Sequence, residues 1–136
     1  MTTTTETEST SLIAFTLPST PYSVQMARFY VRAALTYHDL GQYAEDGEMV
    51  TSELVTNAIQ HAGALAFGLE LRRLADSDAV AVIVTDPSAG HPVRRDPGEA
   101  AERGRGLHIV DALSTAWGWC PRNPGKAVYA ILTTED

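Results

Sequence analysis

One segment near the middle of the chain combines an apolar face with a regular row of polar side chains. Residues 52–62 read SELVTNAIQHA. Glu53, Asn57 and His61 follow one another at four-residue steps, which places them on one side of a helix. Asparagine is a mediocre helix former, so helix propensity does not account for Asn57. The segment therefore predicts a helix that is buried along one face and carries candidate functional polar side chains along another.

The remaining sequence predicts a single domain that mixes helices and strands. A chain of 136 residues is long enough for one core and short for two. Residues 1–11 read as a disordered polar tail, and residues 12–136 read as the domain. Apolar periodicity predicts helices at 24–38, after Ser23 as N-cap, at 44–62 before Gly63, and from Leu107 onward. Alternation predicts a strand at 65–74, β-branched and aromatic content predicts one at 12–17, and a near-continuous apolar run predicts one at 79–85. Residues 117–120 and 127–133 read as two final strands joined by the Asn123-Pro124-Gly125 turn.

Charge and composition exclude several classes of function. The formal net charge of −7 argues against nucleic acid as the main partner, because proteins that bind phosphate backbones normally present basic surfaces. Cys120 is the single cysteine, so an intramolecular disulfide is impossible and a reducing compartment is expected. No apolar run is long enough to cross a membrane, and the N-terminal residues lack the pattern of a secretory signal. The expected location is the cytoplasm.

A second group of candidate residues surrounds a long polar loop. Strand 79–85 leads directly into Asp86, with Gly90 four residues later. Residues 91–106 are rich in Pro, Gly and Arg and show no period, which is typical of a binding loop or lid. The loop ends in Gly104-Arg105-Gly106-Leu107, which opens the third predicted helix. Glycines at a helix N-terminus expose backbone N–H groups beside the positive end of the helix dipole, an arrangement suited to phosphate.

The order of these pieces is more specific than any piece alone. Glu53 and Asn57 on a helix, Asp86 after a hairpin, a loop, and a glycine-flanked helix start together resemble the ATP-binding domain of gyrase, heat-shock chaperones, sensor histidine kinases and MutL. The size and the motifs look most like the anti-sigma-factor serine/threonine kinases of Gram-positive bacteria. The fold that this resemblance implies is an α/β (α+β) two-layer sandwich, with a mixed, mainly antiparallel sheet and helices on one face. The predicted helices and strands fit that fold.

The resemblance also implies roles for individual residues. Asn57 would coordinate Mg²⁺ at the phosphates of ATP, and Glu53 would act as the general base for the attacking hydroxyl. Asp86 would accept a hydrogen bond from the adenine amino group, and Gly90 would let the backbone approach the base. His61 is assigned no more than a structural position or a place at the rim. The expected phosphate-binding residues are Arg103, Gly104, Arg105, Gly106 and Leu107.

The partners implied by the resemblance are an RNA polymerase sigma factor, which the protein would bind, and an anti-sigma-factor antagonist, which it would phosphorylate on serine. Arg28 occupies the place of a partner-binding arginine in that family, and a homodimer is expected. Two departures from the family pattern are Ser88, where a glycine is usual, and a loop without an extended Thr/Lys-rich segment.

Two other interpretations stay open on the sequence. The departure in the loop favours a regulatory module that binds ATP without catalysis. A plain α/β domain, whose polar helix face is simply solvated, is the alternative without any ligand. A measurement of ATP binding distinguishes the plain α/β domain from the kinase and the regulatory module. A measurement of phosphate transfer to a partner serine then distinguishes the kinase from the regulatory module.

Overall fold

A computed structural model describes residues 9–61, 63–75, 78–87 and 109–134. The chain forms five strands and three helices in this part, with a short 3-10 turn before the second helix. The elements in chain order are β1 (Thr10–Pro18), α1 (Pro21–Tyr37), the 3-10 turn (Gly41–Tyr43), α2 (Ala44–His61), β2 (Ala66–Arg73), β3 (Val80–Asp86), α3 (described over 109–113), β4 (Ala116–Pro121) and β5 (Lys126–Leu132).

The five strands form one sheet in the order β1-β2-β3-β5-β4. Every pair of neighbours among these strands is antiparallel. The predicted hairpins β2–β3 and β4–β5 are confirmed, and β3 pairs with β5 to join them. The two-layer α/β sandwich with a mainly antiparallel sheet is therefore confirmed. The parallel component expected of a mixed sheet does not occur among the described strands.

The core lies between one face of the sheet and the helices. Alternate residues of β2 and β3 are buried, while the residues between them are mostly half-exposed, as expected when one face of a sheet is covered. The predicted apolar faces of α1 and α2 supply the other side of this core. The largest fully buried side chains are Phe67, Leu35, Leu40, Leu69, Leu71, Leu132, Val31, Val50, Val55, Val80, Val82 and Val84. No helix within the described ranges combines the length and apolar character needed to cross a membrane.

The boundaries of α1 differ from the prediction at both ends. The helix begins at Pro21, and Thr20, not Ser23, occupies the N-cap position. Proline suits the first helical turn because its missing N–H would have no partner there and its φ is already helical. Ser23 is consequently a buried residue of that first turn. Beyond the C-terminal end of the helix, Asp39 adopts the left-handed conformation (φ 61°), so Asp39 makes the turn in which Gly41 was expected to take part.

The strand edges differ from the prediction by one or two residues. β1 begins at Thr10, so the first strand extends into the range predicted as tail.

α3 is anchored to the sheet, because Trp117 Nε1 on β4 donates a hydrogen bond to Asp111 Oδ1 at 3.1 Å. Tyr43 Oη accepts a hydrogen bond from the Thr134 backbone N–H at 3.0 Å, which ties the 3-10 turn before α2 to the residues after β5.

The predicted turn between β4 and β5 is confirmed and packs tightly against the end of β3. Gly125 has a φ of +88°, which L side chains rarely adopt, and the Arg122 N–H donates to its carbonyl oxygen at 2.8 Å. A Cβ at Gly125 would overlap the carbonyl oxygen of Asp86 and lie 2.8 Å from Pro87 Cα. Both the dihedral angle and the available space therefore require glycine at this position.

Gly125→Ala should lower the free energy of unfolding by about 2 kcal/mol or more, because the substitution adds a backbone clash to an unfavourable φ. Urea unfolding monitored by circular dichroism measures this change. Gly63→Ala is the matched control for the angle alone: Gly63 has a φ of +80° but nothing within 4 Å of its Cβ position, so about 1 kcal/mol is expected. Gly41→Ala, with open space and no positive φ, should be neutral within about 0.5 kcal/mol. Equal effects at Gly125 and Gly63 would contradict the role assigned to the close packing.

Candidate functional site

The direction of α2 across the sheet determines where its polar row lies. Near the start of the helix, a Cβ at Gly47 would lie 2.9 Å from Leu35 Cδ1 and 4.0 Å from Leu132 Cδ1. Leu132 is the last residue of β5 and pairs with Val80, the first residue of β3. The helix therefore begins over the end of the sheet at which β5 ends and β3 starts.

The contacts of α2 indicate where its other half lies. α2 contacts both β3 and β5, and we infer that it runs along these two strands. A rise of about 1.5 Å per residue carries the helix about 15 Å from Gly47 to Asn57. Over the same direction β3 advances about 20 Å from Val80 to its last residue, Asp86, at about 3.3 Å per residue. We infer that Asn57 lies over the half of the sheet that contains Asp86.

Glu53 and Asn57 are the two candidate residues on α2. Both side chains are half-buried on α2, beside the fully packed Leu54 and Val55. Within the described residues, neither polar side chain has a hydrogen-bond partner, although partly buried polar groups normally obtain one. The neutral amide of Asn57 and the carboxylate of Glu53 lie one helical turn apart. Both groups are thus available for hydrogen bonding on the part of α2 that packs on the sheet.

Asp86 is the buried acid of the site. It continues the buried row of β3 formed by Val80, Val82 and Val84, so its side chain lies on the face of the sheet that the helices cover. Its carboxylate is 3% exposed, and Lys126 Nζ donates to Asp86 Oδ2 at 2.9 Å. An ionised carboxylate at this depth requires a partner, because desolvation strongly disfavours an isolated buried charge.

Lys126, which pairs with Asp86, is a candidate residue that was not predicted from the sequence. It is the first residue of β5, directly opposite Asp86 in the register of the two strands. The sequence contained one signal, because Lys126 is the only lysine of the chain and directly follows the Asn123-Pro124-Gly125 turn. The pairing of β3 with β5 could not be derived from alternation, since both strands are apolar along most of their length.

Arg28, the predicted partner-binding residue, lies on the exposed side of α1 and already has an acidic neighbour. Its Nη2 lies 3.3 Å from Glu48 Oε1 on α2, and Arg32 donates to Glu48 Oε2. The Arg32 guanidinium, with a smaller contribution from Arg28, lowers the pKa of Glu48, although burial of the carboxylate acts in the opposite direction. An acidic partner group would therefore meet Arg28 within an existing ion pair between the two helices.

Several predicted residues lie outside the described part of the chain. These are Ser88, Gly90, the loop 91–106 with Arg103, Gly104, Arg105 and Gly106, and Leu107; the side chain of His61 is likewise not described. The candidate site residues that the structure describes are thus Glu53, Asn57, Asp86 and Lys126, of which Asp86 and Lys126 are in contact.

A protein-family model with the description "Histidine kinase-like ATPase domain" matches residues 17–132. This range contains α1, α2, β2 to β5 and all four residues of the site. No curated protein matches the chain. The matched range agrees with the extent of the resemblance expected from the order of the motifs.

Glu48→Gln should weaken the contact between α1 and α2 at neutral pH and remove part of the acid sensitivity of folding. Because the folded-state pKa of Glu48 is lowered, its stabilisation is present above the unfolded-state value of about 4.3 and is lost as pH falls through the folded-state value. The ion pairs are largely exposed to solvent, so the effect at pH 7 should be a few tenths to about 1 kcal/mol.

Urea unfolding of both proteins at pH 7 and at pH 3 measures this difference, which should shrink at the lower pH. Glu45→Gln is the control, since Glu45 is an exposed carboxylate of the same helix that forms no ion pair within the described ranges. A difference between Glu48→Gln and the unmodified protein that grows on acidification would contradict the assignment.

Proposed function

The chain belongs to the histidine kinase-like ATPase domain family, and on this premise we propose that it binds ATP with Mg²⁺ and phosphorylates a protein serine. The observation that supports the proposal is the buried carboxylate of Asp86, which lies in the half of the sheet over which we infer that Asn57 lies. A merely solvated helix face would not call for a buried acid in that half of the sheet.

The chemistry of Asp86 fits the adenine base. A carboxylate held by Lys126 accepts hydrogen bonds and cannot donate them. The exocyclic amino group of adenine donates, whereas the corresponding oxygen of guanine accepts. Because Asp86 is 2% exposed, a base that reached it would make this hydrogen bond shielded from water, where a wrong partner would leave a buried charge unsatisfied.

The donor groups on α2 fit Mg²⁺ at the phosphates. Mg²⁺ prefers oxygen ligands, keeps several waters and takes only one or two groups from the protein. The amide oxygen of Asn57 suits this role, and the described residues contain no cluster of three or more His, Cys, Asp or Glu that would indicate a fully protein-bound metal. When bound, Mg²⁺ supplies positive charge that offsets the charge of the phosphates.

Glu53 is the proposed general base. Its carboxylate would accept the proton of the serine hydroxyl whose oxygen attacks the γ-phosphorus of ATP, with ADP as the leaving group. The position of Glu53 supports this role, because it lies one turn before Asn57 on the same side of α2. Its half-buried side chain has no competing hydrogen-bond partner within the described residues.

The proposed partners belong to a switch that regulates transcription in the cytoplasm. The serine would be on an anti-sigma-factor antagonist, and the protein without that antagonist would bind an RNA polymerase sigma factor, as a homodimer. Arg28 is the proposed contact residue. Its side chain is 44% exposed, and its ion pair with Glu48 would have to rearrange or be shared when a partner carboxylate approaches.

Asn57→Ala should remove detectable Mg²⁺-dependent ATP binding while leaving the fold intact, because the half-buried amide supports binding and not the core. Isothermal titration calorimetry with ATP, with and without Mg²⁺, measures the change. Gln60→Ala, an exposed polar truncation on the same helix, is the control and should bind as the unmodified protein does. Mg²⁺-dependent binding that is equal in Asn57→Ala and the unmodified protein would contradict the role of Asn57.

Glu53→Gln should keep ATP binding and reduce phosphate transfer by about 10²- to 10⁴-fold, the usual contribution of a general base. Transfer from γ-labelled ATP to a candidate antagonist, followed by mass spectrometry of the modified serine, measures it. Undiminished transfer by Glu53→Gln would refute the assigned base. If the unmodified protein binds ATP but labels no serine, the non-catalytic ATP-sensing module is the correct function.

A further inference from the structure

The ion pair between Asp86 and Lys126 joins two groups of opposite hydrogen-bonding character. Lys126 Nζ can donate three hydrogen bonds and accept none, whereas the Asp86 carboxylate can only accept. The two atoms in contact, Lys126 Nζ and Asp86 Oδ2, are 2.9 Å apart. The Lys126 side chain is 18% exposed and that of Asp86 is 3% exposed. An acceptor and a donor are thus held side by side where β3 ends and β5 begins.

The backbone around the pair fixes its position. Asp86 and Lys126 are directly paired across β3 and β5, and Pro121 of β4 pairs with Lys126 from the other side. The Gly125 turn lies against the backbone of Asp86, so the first residue of β5 enters the sheet opposite the acid with little freedom to shift. The ammonium group is therefore brought to this carboxylate by strand register as well as by attraction.

The surface next to the pair is apolar. One step along the same strands, Val84, Val128 and Trp119 form the neighbouring row of the sheet, and their side chains lie on the same face as Asp86. Val84 is fully buried, Val128 is half-buried, and Trp119 at the sheet edge is 47% exposed. A charged donor and a charged acceptor that lie beside a row of apolar side chains are suited to a flat heterocycle. The polar edge of such a ring would meet the charged pair, and its apolar part would lie on the row.

We propose that Lys126 is a second base-reading residue, which donates a hydrogen bond to ring nitrogen N1 of adenine while Asp86 accepts one from the adjacent amino group. The inference rests on the proposed binding of ATP and adds a residue and an atom to it. Adenine presents a donor and an acceptor on neighbouring atoms of this edge, which is the complement of the Asp86–Lys126 pair. Guanine presents an acceptor and a donor in the same two places, so both groups would face an unsuitable atom.

The experiment compares ATP with 1-deaza-ATP, in which a C–H group replaces N1. Calorimetric titration of the unmodified protein should show about tenfold or more weaker binding of 1-deaza-ATP, since one charge-assisted hydrogen bond is lost. Lys126→Met should weaken ATP binding by a clearly larger factor than it weakens 1-deaza-ATP binding, so that the preference for ATP over 1-deaza-ATP is largely lost. Lys126→Arg, which keeps a cationic donor, should retain more of the preference for ATP over 1-deaza-ATP than Lys126→Met does.

The outcomes separate this inference from its alternatives. If Lys126→Met weakens both nucleotides equally, Lys126 only positions Asp86, and the inference is overturned while ATP binding stands. Preference of the unmodified protein for GTP over ATP would also overturn it. Failure of the unmodified protein to bind either ATP or GTP would overturn the proposed function and the inference together.

A second experiment observes Lys126 directly in the unmodified protein by NMR, so its result does not depend on whether Lys126→Met folds. Because Lys126 is the only lysine, labelling with ¹⁵N-lysine gives one side-chain ammonium signal. Saturating ATP should shift this signal and slow the exchange of its protons with water, and 1-deaza-ATP should produce a smaller change. Identical signals with the two saturating nucleotides would overturn the proposed contact with N1.

Discussion

The packing of α2 along β3 and β5 is the interaction on which the rest of the site depends. The apolar face of the helix, with Leu54 and Val55 fully buried, fixes its rotation, so that Glu53 and Asn57 are carried to the side of that contact. Gly47 allows α1, α2 and β5 to approach closely at the opposite end, where a side chain would meet Leu35. The same hydrophobic contact therefore stabilises the fold and sets the direction in which the polar row points.

The second requirement is electrostatic. A buried carboxylate at the end of β3 is costly unless a cation accompanies it, and replacing such a pair by apolar groups often leaves stability unchanged or improves it. Stability therefore does not explain why Asp86 and Lys126 occupy this position. The proposed recognition of adenine would account for it, because a desolvated donor and acceptor discriminate strongly among ligands that present the wrong atoms.

Much of this architecture could be predicted from the sequence, for identifiable reasons. Alternation in β2, the apolar run of β3, the helical period of α2 and the Asn-Pro-Gly turn are local signals, and each specified its element to within one or two residues. Glu53 and Asn57 could be selected as candidates for the same reason, because they lie on one helix, and their roles stay predictions. Lys126 could not, because its role arises from the register between two apolar strands. Arg28 was identified without Glu48, since their ion pair depends on how two helices pack and not on either helix alone.

The order of the strands has a consequence for how the site comes into existence during folding. β2–β3 and β4–β5 are hairpins that close short loops, whereas the contact of Asp86 with Lys126 spans 40 residues. Closing the longer segment costs more chain entropy, and only the docking of one hairpin on the other compensates for it. Neither hairpin contains the charge pair by itself. The pair is thus a product of a long-range step of sheet assembly, and a chain that has formed all its local structure still lacks it.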